Sequence, residues 1–475
     1  MSNNCVTRNN GGLTRRQFGT AALATAAVAV GGGITAAAPA RRPNFLVFVA
    51  DDAGARHFGC YGNPSIRTPN IDRLSAEGIT ADKAMLTTAQ CSPSRISILT
   101  GKYPHATGAE DLHMPLPDRH RTVPGYLHKA GYFAGHMQKV HEGPHSDRQF
   151  QWYDKGLEGF PAFLDAAGQK PFFLWVAFDD PHRPYQDGTV AEPHDPDQVE
   201  VAPHMADTRE TRADIARYYD EIARMDAVIG RFMDVLEARG LEEETLVVFL
   251  SDNGAPFPRE KGTVYDGGVK APLIFRWPGV VPRGARHGGL MSVIDLAPTF
   301  LKLAAVDVPD DMQGEDIAAG LRDPALWQRS SAFSERNWHD CDEHIRSVRT
   351  ARYRLIQNAY IELPFGSPAD VSSSPSWLAL YELKKRGQLT DAQRLLFEAP
   401  RPEIEFYDLE NDSWELRNLA AEPRYQEEIA IHYSMLREWM VATNDFPPRR
   451  RRREGYVDRV TGVLFSLDVP PMFNE

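Results

Sequence analysis

Asn44-Phe45-Leu46-Val47-Phe48-Val49-Ala50-Asp51-Asp52 joins an uncharged run of strand length to two adjacent acids. An unbroken apolar run, unlike an alternating one, marks a strand covered on both faces, and such strands belong to parallel sheets sheathed by helices. The pattern recurs. Phe172-Phe173-Leu174-Trp175-Val176-Ala177-Phe178 ends in Asp179-Asp180-Pro181-His182, and Thr245-Leu246-Val247-Val248-Phe249-Leu250 ends in Ser251-Asp252-Asn253-Gly254. A fourth strand is expected from Ala271 to Arg276. Apolar residues at helical spacing run from Thr211 to Arg239, with Gly240 as a stop. Shorter helices are expected at Thr68–Leu74, where Asn70 is the cap, at Thr122–Ala130, and from Ser292 onward. This alternation defines an α/β domain, and open α/β sheets gather ligands beyond the carboxyl ends of their strands.

A chain of 475 residues exceeds one ordinary core, so two domains are expected. A net charge of −12 argues against nucleic acid as the main partner, so an anionic substrate must be drawn by a local cationic cluster. Four cysteines make no disulfide framework and leave only Cys60–Cys341 open as a pair. No internal run of the mature chain reaches membrane-span length. Residues 1–40 have the form of an export signal: Arg15-Arg16, a weakly apolar Ala/Val/Gly stretch, and Ala36-Ala37-Ala38-Pro39-Ala40 as the cleavage region. The paired arginines resemble a twin-arginine signal, which implies a periplasmic or secreted protein exported already folded. Beyond about residue 345 the texture changes to short alternating strands around Ser347, Tyr353 and Phe406, and residues 424–441 form a packing helix. The expected division is a 41–345 catalytic domain and a 346–475 antiparallel-sheet subdomain and tail, with Arg449 to Arg453 a solvated charge run.

Cys91-Ser92-Pro93-Ser94-Arg95 places a cysteine ahead of a proline suited to the first position of a helix. Unpaired N–H groups and the positive helix end would face Cys91, although a buried thiol beside a surface arginine fits these five residues as well. Pooling the strand ends gives Asp51, Asp52, Asp252 and Asn253 as hard oxygen donors, a set for calcium or magnesium rather than zinc. Arg95, Lys139, Lys261, His141 and His182 complete a site for a tetrahedral oxyanion. The residues alone therefore describe metal-assisted group transfer on a sulfate or phosphate derivative.

Cys91-Ser92-Pro93-Ser94-Arg95 with Ile98-Leu99-Thr100-Gly101 resembles the C-x-P-S-R signature of the type I sulfatases. Further landmarks follow in order: Ala50-Asp51-Asp52, Lys139-x-His141, Asp180-Pro181-His182, Ser251-Asp252-Asn253-Gly254, Lys261-Gly262-Thr263 and Asp295-Leu296-Ala297-Pro298-Thr299. The resemblance spans residues 44 to about 440. It implies an alkaline phosphatase-like fold, with a large mixed, mostly parallel central sheet flanked by helices and a smaller C-terminal α+β domain on an antiparallel sheet. It also implies that a formylglycine-generating enzyme converts Cys91 before export, and that the formylglycine hydrate is the nucleophile and a metal ligand. Asp51, Asp52, Asp252 and Asn253 would hold calcium, with magnesium the alternative. Arg95 and Lys139 would steady the modified residue and Lys261 the sulfo group, while His182 would protonate the leaving atom and His141 would release sulfate. Pro171 to Arg183, Ser251 to Pro258 and Ile345 to Leu355 are similar to the branch acting on N-sulfoglucosamine in heparan-type saccharides. Lys261 instead follows the O-sulfatase pattern. O-sulfatase action on sugars or aryl sulfates is the alternative, followed by phosphonate or phosphodiester hydrolysis and by non-catalytic sulfoglycan binding.

Overall fold

The computed structural model describes residues 42–447 except 341 and 363. Its larger sheet uses nine strands among the described residues: β1 Asn44–Ala50, β2 Ile79–Met85, β3 Phe133–Gln138, β4 Trp152–Asp154, β5 Phe172–Ala177, β6 Thr245–Ser251, β7 Lys270–Ala271, β8 Leu273–Arg276 and β9 Ala285–Ser292. The order is β4-β3-β5-β1-β6-β8-β2-β7, with β9 also paired to β2. The ladders from β4 through β6 are parallel, as is β2 with β9, whereas β8 runs antiparallel to both β6 and β2. β1 lies between β5 and β6, in register over Phe45–Val49 with Phe173–Ala177 and over Asn44–Ala50 with Thr245–Ser251.

That central position explains the unbroken apolar run. Phe45, Val47 and Val49 enter the core that also holds Ile98, Leu127, Leu296 and Phe300, from helices Cys91–Thr100, Val123–Lys129 and Leu296–Leu303. The alternate residues Leu46, Phe48 and Ala50 enter the core on the opposite face, with Ile222, Met225 and Phe232 of the helix Arg209–Ala238. Successive side chains of a strand point to opposite faces, so helices on both sides require both sets to be apolar.

A second sheet has the order β10-β11-β12-β13 and is antiparallel throughout: β10 Ala332–Arg336, β11 Ile345–Arg349, β12 Tyr353–Asn358 and β13 Ile404–Asp408. Val348, Leu355 and Phe406 meet Leu436 and Trp439 of the helix Gln426–Ala442. The edge strand β10 precedes the expected 345/346 division, so this sheet begins earlier in the chain than its alternating strands suggested.

Several local expectations change. The helix of the cysteine stretch spans Cys91–Thr100, so Cys91 heads it and Pro93 is its third residue, where a missing N–H still costs nothing. The helix at Pro69–Ala76 has Pro69 in its first turn and Thr68, not Asn70, at the cap position. Its free N–H groups are taken by Asp226 of the long helix, whose Oδ1 accepts from Asn70 at 3.0 Å and from Ile71 at 2.8 Å. Residues 185–208, a stretch rich in Pro, Asp, Glu and His, bury His194 and His204 against neighbouring elements. Ala271 to Arg276 is interrupted at Pro272, giving β7 and β8. Cys60 is a free thiol, while Cys341, the 1–40 segment and Arg449 to Arg453 lie outside the described residues. No helix among the described residues is long and apolar enough to cross a membrane.

Candidate active site

The carboxyl ends of β1 and β6 lie side by side. Ala50 pairs with Ser251, and Asp252 N–H donates to the Ala50 carbonyl at 3.1 Å. Asp51 and Asp52 therefore emerge beside Asp252 and Asn253. Asp52 takes a left-handed backbone, φ 70°, which turns its N–H onto Asp252 Oδ1 at 3.2 Å. Gly254 sits where an added Cβ would lie 1.9 Å from the Gly267 carbonyl oxygen, so only glycine lets the chain after Asn253 pass the Gly267-Gly268 turn.

Cys91, at the head of its helix, has Sγ 3.5 Å from Asp51 Oδ1 and 3.8 Å from Asp52 Oδ1. Arg95, four residues on, returns to the same helix face. Its Nε donates to Asp252 Oδ2 at 2.7 Å and its Nη2 lies 3.8 Å from Asp51 Oδ2, with both terminal nitrogens buried and without hydrogen-bond partners. Lys139, just past β3, contacts Asp51 Oδ2. Lys261 lies between Asp52 Oδ2 at 2.7 Å and Asp370 Oδ2 at 2.6 Å. His182, beyond β5, donates from Nδ1 to the Arg183 carbonyl, and its Nε2 is 3.8 Å from Asp52 Oδ2 and from Asp370 Oδ2. His141 Nε2 is 2.7 Å from His113 Nδ1. All the residues expected for the site thus come together around the sheet's carboxyl ends.

Electrostatics divide the three fully buried acids. Burial alone would raise Asp51, but Lys139, His182 and Arg95 outweigh it and hold its carboxyl well below the usual range. Burial and the charge of Asp51 push Asp52 up to about 7 despite Lys261, and Asp252 up to about 6 despite Arg95. Burial opposes charge on Lys139 and Lys261, yet the carboxylates beside them hold both ammonium groups charged. Burial, then Lys139, lowers His141 well below its ordinary value, and burial, then Lys261, lowers His182, so both imidazoles are neutral at pH 7.

This donor set fits a divalent cation. Ligand atoms of Asp51, Asp52, Cys91 and His182 lie within 4.8 Å of one another. Asn253 gives its amide nitrogen to Asp52 Oδ1 and the Gly254 carbonyl, while its buried Oδ1 has no partner. Asp252 stands outside the tightest group, its oxygens engaged by Arg95 and the Asp52 N–H. Buried carboxylates with an orphan amide oxygen suit a hard cation.

A cavity of about 600 Å³ opens over Cys91 and is also lined by Lys139, His141, His182 and Lys261. Three further lining residues, His113, His339 and Asp370, were not singled out in the sequence. His113 is held by its N–H donating to Ser92 Oγ at 2.7 Å, which gives the second residue of the cysteine motif a use. Asp370 lies in the short helix Ala369–Ser372, and no local sequence pattern marks it.

This geometry agrees with the chain's relatives. The sulfatase family model matches residues 43–163 and 149–306, and a model described as N-sulphoglucosamine sulphohydrolase, C-terminal, matches 259–364. The chain belongs to the sulfatase family and is a sulfuric ester hydrolase by class. It is 30% identical to human N-sulphoglucosamine sulphohydrolase over 464 residues, covering 86% of this chain and 91% of the relative. An ulvan-active sulfatase of Formosa agariphila is 28% identical, over 85% of this chain and 76% of its own. A solved structure in complex with its substrate D-glucosamine-2-N,6-O-disulfate shares the fold at TM-score 0.66 and 20% identity, over 86% of this chain and 99% of the other.

Proposed function

We propose that this sulfatase acts on N-sulfoglucosamine or a related heparan-type saccharide, through a formylglycine made from Cys91 beside a calcium ion. The observation that carries the reading is Cys91 at a helix head beside the Asp51–Asp52 pair, which Arg95, Lys139 and Lys261 contact in turn. Burial and then the charge of Asp51 push the Cys91 thiol well above its ordinary value. A thiol that keeps its proton is a poor nucleophile, which supports Cys91 as the precursor of the working group. Formylglycine supplies a hydrated aldehyde with two hydroxyls, and the cation supplies Lewis acidity toward the sulfo oxygens.

Asp51, Asp52, Asp252 and Asn253 hold the cation. Arg95 and Lys139 steady residue 91, and Lys261 meets the sulfo oxygens. His182, with Nδ1–H fixed on the Arg183 carbonyl, leaves the Nε2 lone pair facing the site; Nε2 must first take up a proton, and the imidazolium so formed delivers it to the leaving nitrogen or oxygen. His141, kept neutral, accepts the proton whose removal releases sulfate.

The N-sulfo assignment is supported by the human relative, by the C-terminal model over 259–364 and by the disulfated glucosamine held by the solved neighbour. O-sulfatase action is the second reading, favoured by Lys261 and by the ulvan-active relative. With conversion of Cys91 confirmed by intact mass, sulfate release is measured from N-sulfoglucosamine, 6-O-sulfated glucosamine and an aryl sulfate. The N-sulfated sugar should be preferred by tenfold or more in kcat/KM. Preference for an O-sulfated substrate moves the enzyme to the second reading, and no release from any of them by converted protein sinks both.

Residues 1–40 we take as a twin-arginine signal, with a formylglycine-generating enzyme acting before export to the periplasm or beyond. Among the described residues, those up to 345 carry the chemistry, and those from 346 to 447 complete the fold and lend Asp370 to Lys261. Replacing Arg15 and Arg16 with lysine should leave the protein in the cytoplasm; normal export of that variant would refute the signal.

A further inference from the structure

The segment that delivers Lys139 and His141 is rooted in a second polar cluster, unused by the chemistry above. His136 lies on β3, Glu142 follows His141, and Asp147 ends the short helix Pro144–Asp147. One ligand atom from each of the three lies within 4.8 Å of the others. His136 Nε2 is 2.9 Å from the Lys139 carbonyl oxygen, which can only accept, so Nε2 carries the hydrogen and the ring's lone pair belongs to Nδ1. Metal-binding imidazoles are commonly held this way, with the other ring N–H fixed by a carbonyl. Burial keeps the ring neutral, as a ligand must be.

The acids are incompletely satisfied. Glu142 is fully buried; Oε2 accepts from the His141 N–H at 2.9 Å, but Oε1 has no partner. Asp147 Oδ1 and the buried Ser146 Oγ have none either. A buried oxygen left without a donor costs about 1–3 kcal/mol, and here two carboxylate oxygens share one small space beside an imidazole. Burial and then the charge of Glu142 push Asp147 up to about 8, so an ion-free cluster keeps a proton at neutral pH.

We propose that His136, Glu142 and Asp147 bind a second divalent cation, of the zinc or manganese class, which shares no ligand with the Asp51–Asp52 site and fixes the root of the Lys139–His141 segment. One nitrogen with two carboxylates suits these borderline ions better than calcium, which prefers oxygen alone. Binding displaces the shared proton to solvent, and no other bond changes.

The test uses full-length protein with calcium in excess, so that the first site is filled. Zinc binding is measured by calorimetry and by metal analysis after dialysis. The unmodified protein should hold about one zinc per chain, and Glu142→Gln and Asp147→Asn should each weaken binding at least tenfold. Asp147 is half-buried, so its variant keeps the question answerable if Glu142→Gln fails to fold. Asp252→Asn, in the other site, should leave zinc binding unchanged. Zinc should also raise the melting temperature of the unmodified protein but not of Asp147→Asn. Equal uptake by the variants, loss of uptake in Asp252→Asn, or no zinc or manganese on the unmodified protein, meaning that the carboxylates hold only a proton, would each overturn the proposal.

Discussion

Calcium binding at the Asp51–Asp52 site should strengthen steeply with pH. In the ion-free protein Asp52 titrates near 7 and Asp252 near 6, against an ordinary 3.8. An acid whose folded pKa is raised lends stability that is present below its unfolded pKa and lost as pH climbs through the folded one. For Asp52 alone, the difference between 3.8 and about 7 corresponds to about 4 kcal/mol, withdrawn between about pH 4 and pH 7. Asp51 has the opposite sign, but its carboxyl titrates below that window and contributes no slope there. A bound cation keeps the carboxylates ionised and offsets the loss. Where one proton is displaced per ion, affinity rises about tenfold per pH unit, or about 1.4 kcal/mol. The assay is calcium titration by calorimetry at half-unit steps from pH 5 to 8, with melting curves in calcium and in chelator alongside. The gap between the two melting curves should widen as pH rises and level off above about 7.5. A calcium affinity constant across that range would refute the assignment of Asp52 and Asp252 as strained, ion-dependent carboxylates.

Other outcomes follow from the same geometry. Cys91→Ser should lose steady-state turnover by several orders of magnitude while keeping its melting temperature within a few degrees; full multiple-turnover activity would contradict the role given to residue 91. Arg95→Met leaves Asp252 and Asp51 buried beside an uncharged side chain, and should cost about 3–5 kcal/mol in urea unfolding with calcium absent. Gly254→Ala drives a methyl to 1.9 Å from the Gly267 carbonyl oxygen, and should cost at least about 2 kcal/mol and weaken calcium binding through Asn253. Asp226→Ala removes the acceptor for two helix N–H groups and should lower stability by about 1–2 kcal/mol without changing kcat.

The sequence disclosed best what a single strand can disclose about itself. β1, β5 and β6 are apolar throughout because both faces are covered, and their terminal acids stand out against them. β2, with Asp82 and Lys83 at its middle, and β9, with Gly288 and Gly289, carry no such mark, because their burial is imposed by partners distant in the chain. Asn70 looked like a cap because its own neighbourhood was all that could be judged, whereas the true acceptor, Asp226, lies 156 residues away. The site divides in the same way. Cys91, Arg95, Asp51 and Asp252 sit in dense local patterns, while His113 reaches the cavity from a loop and Asp370 from the short helix Ala369–Ser372, segments whose placement depends on tertiary packing.

The burial of Cys91 also sets a clock. Its side chain is 3% exposed, and its helix packs on Leu296 and Ala297, which are made some two hundred residues later. At about 5–20 residues per second of synthesis, that leaves roughly 10–40 s in which the cysteine is on an unfinished and accessible chain. Any enzyme that alters Cys91 must therefore win a race against the ribosome, and a slower-translated message should yield a larger converted fraction.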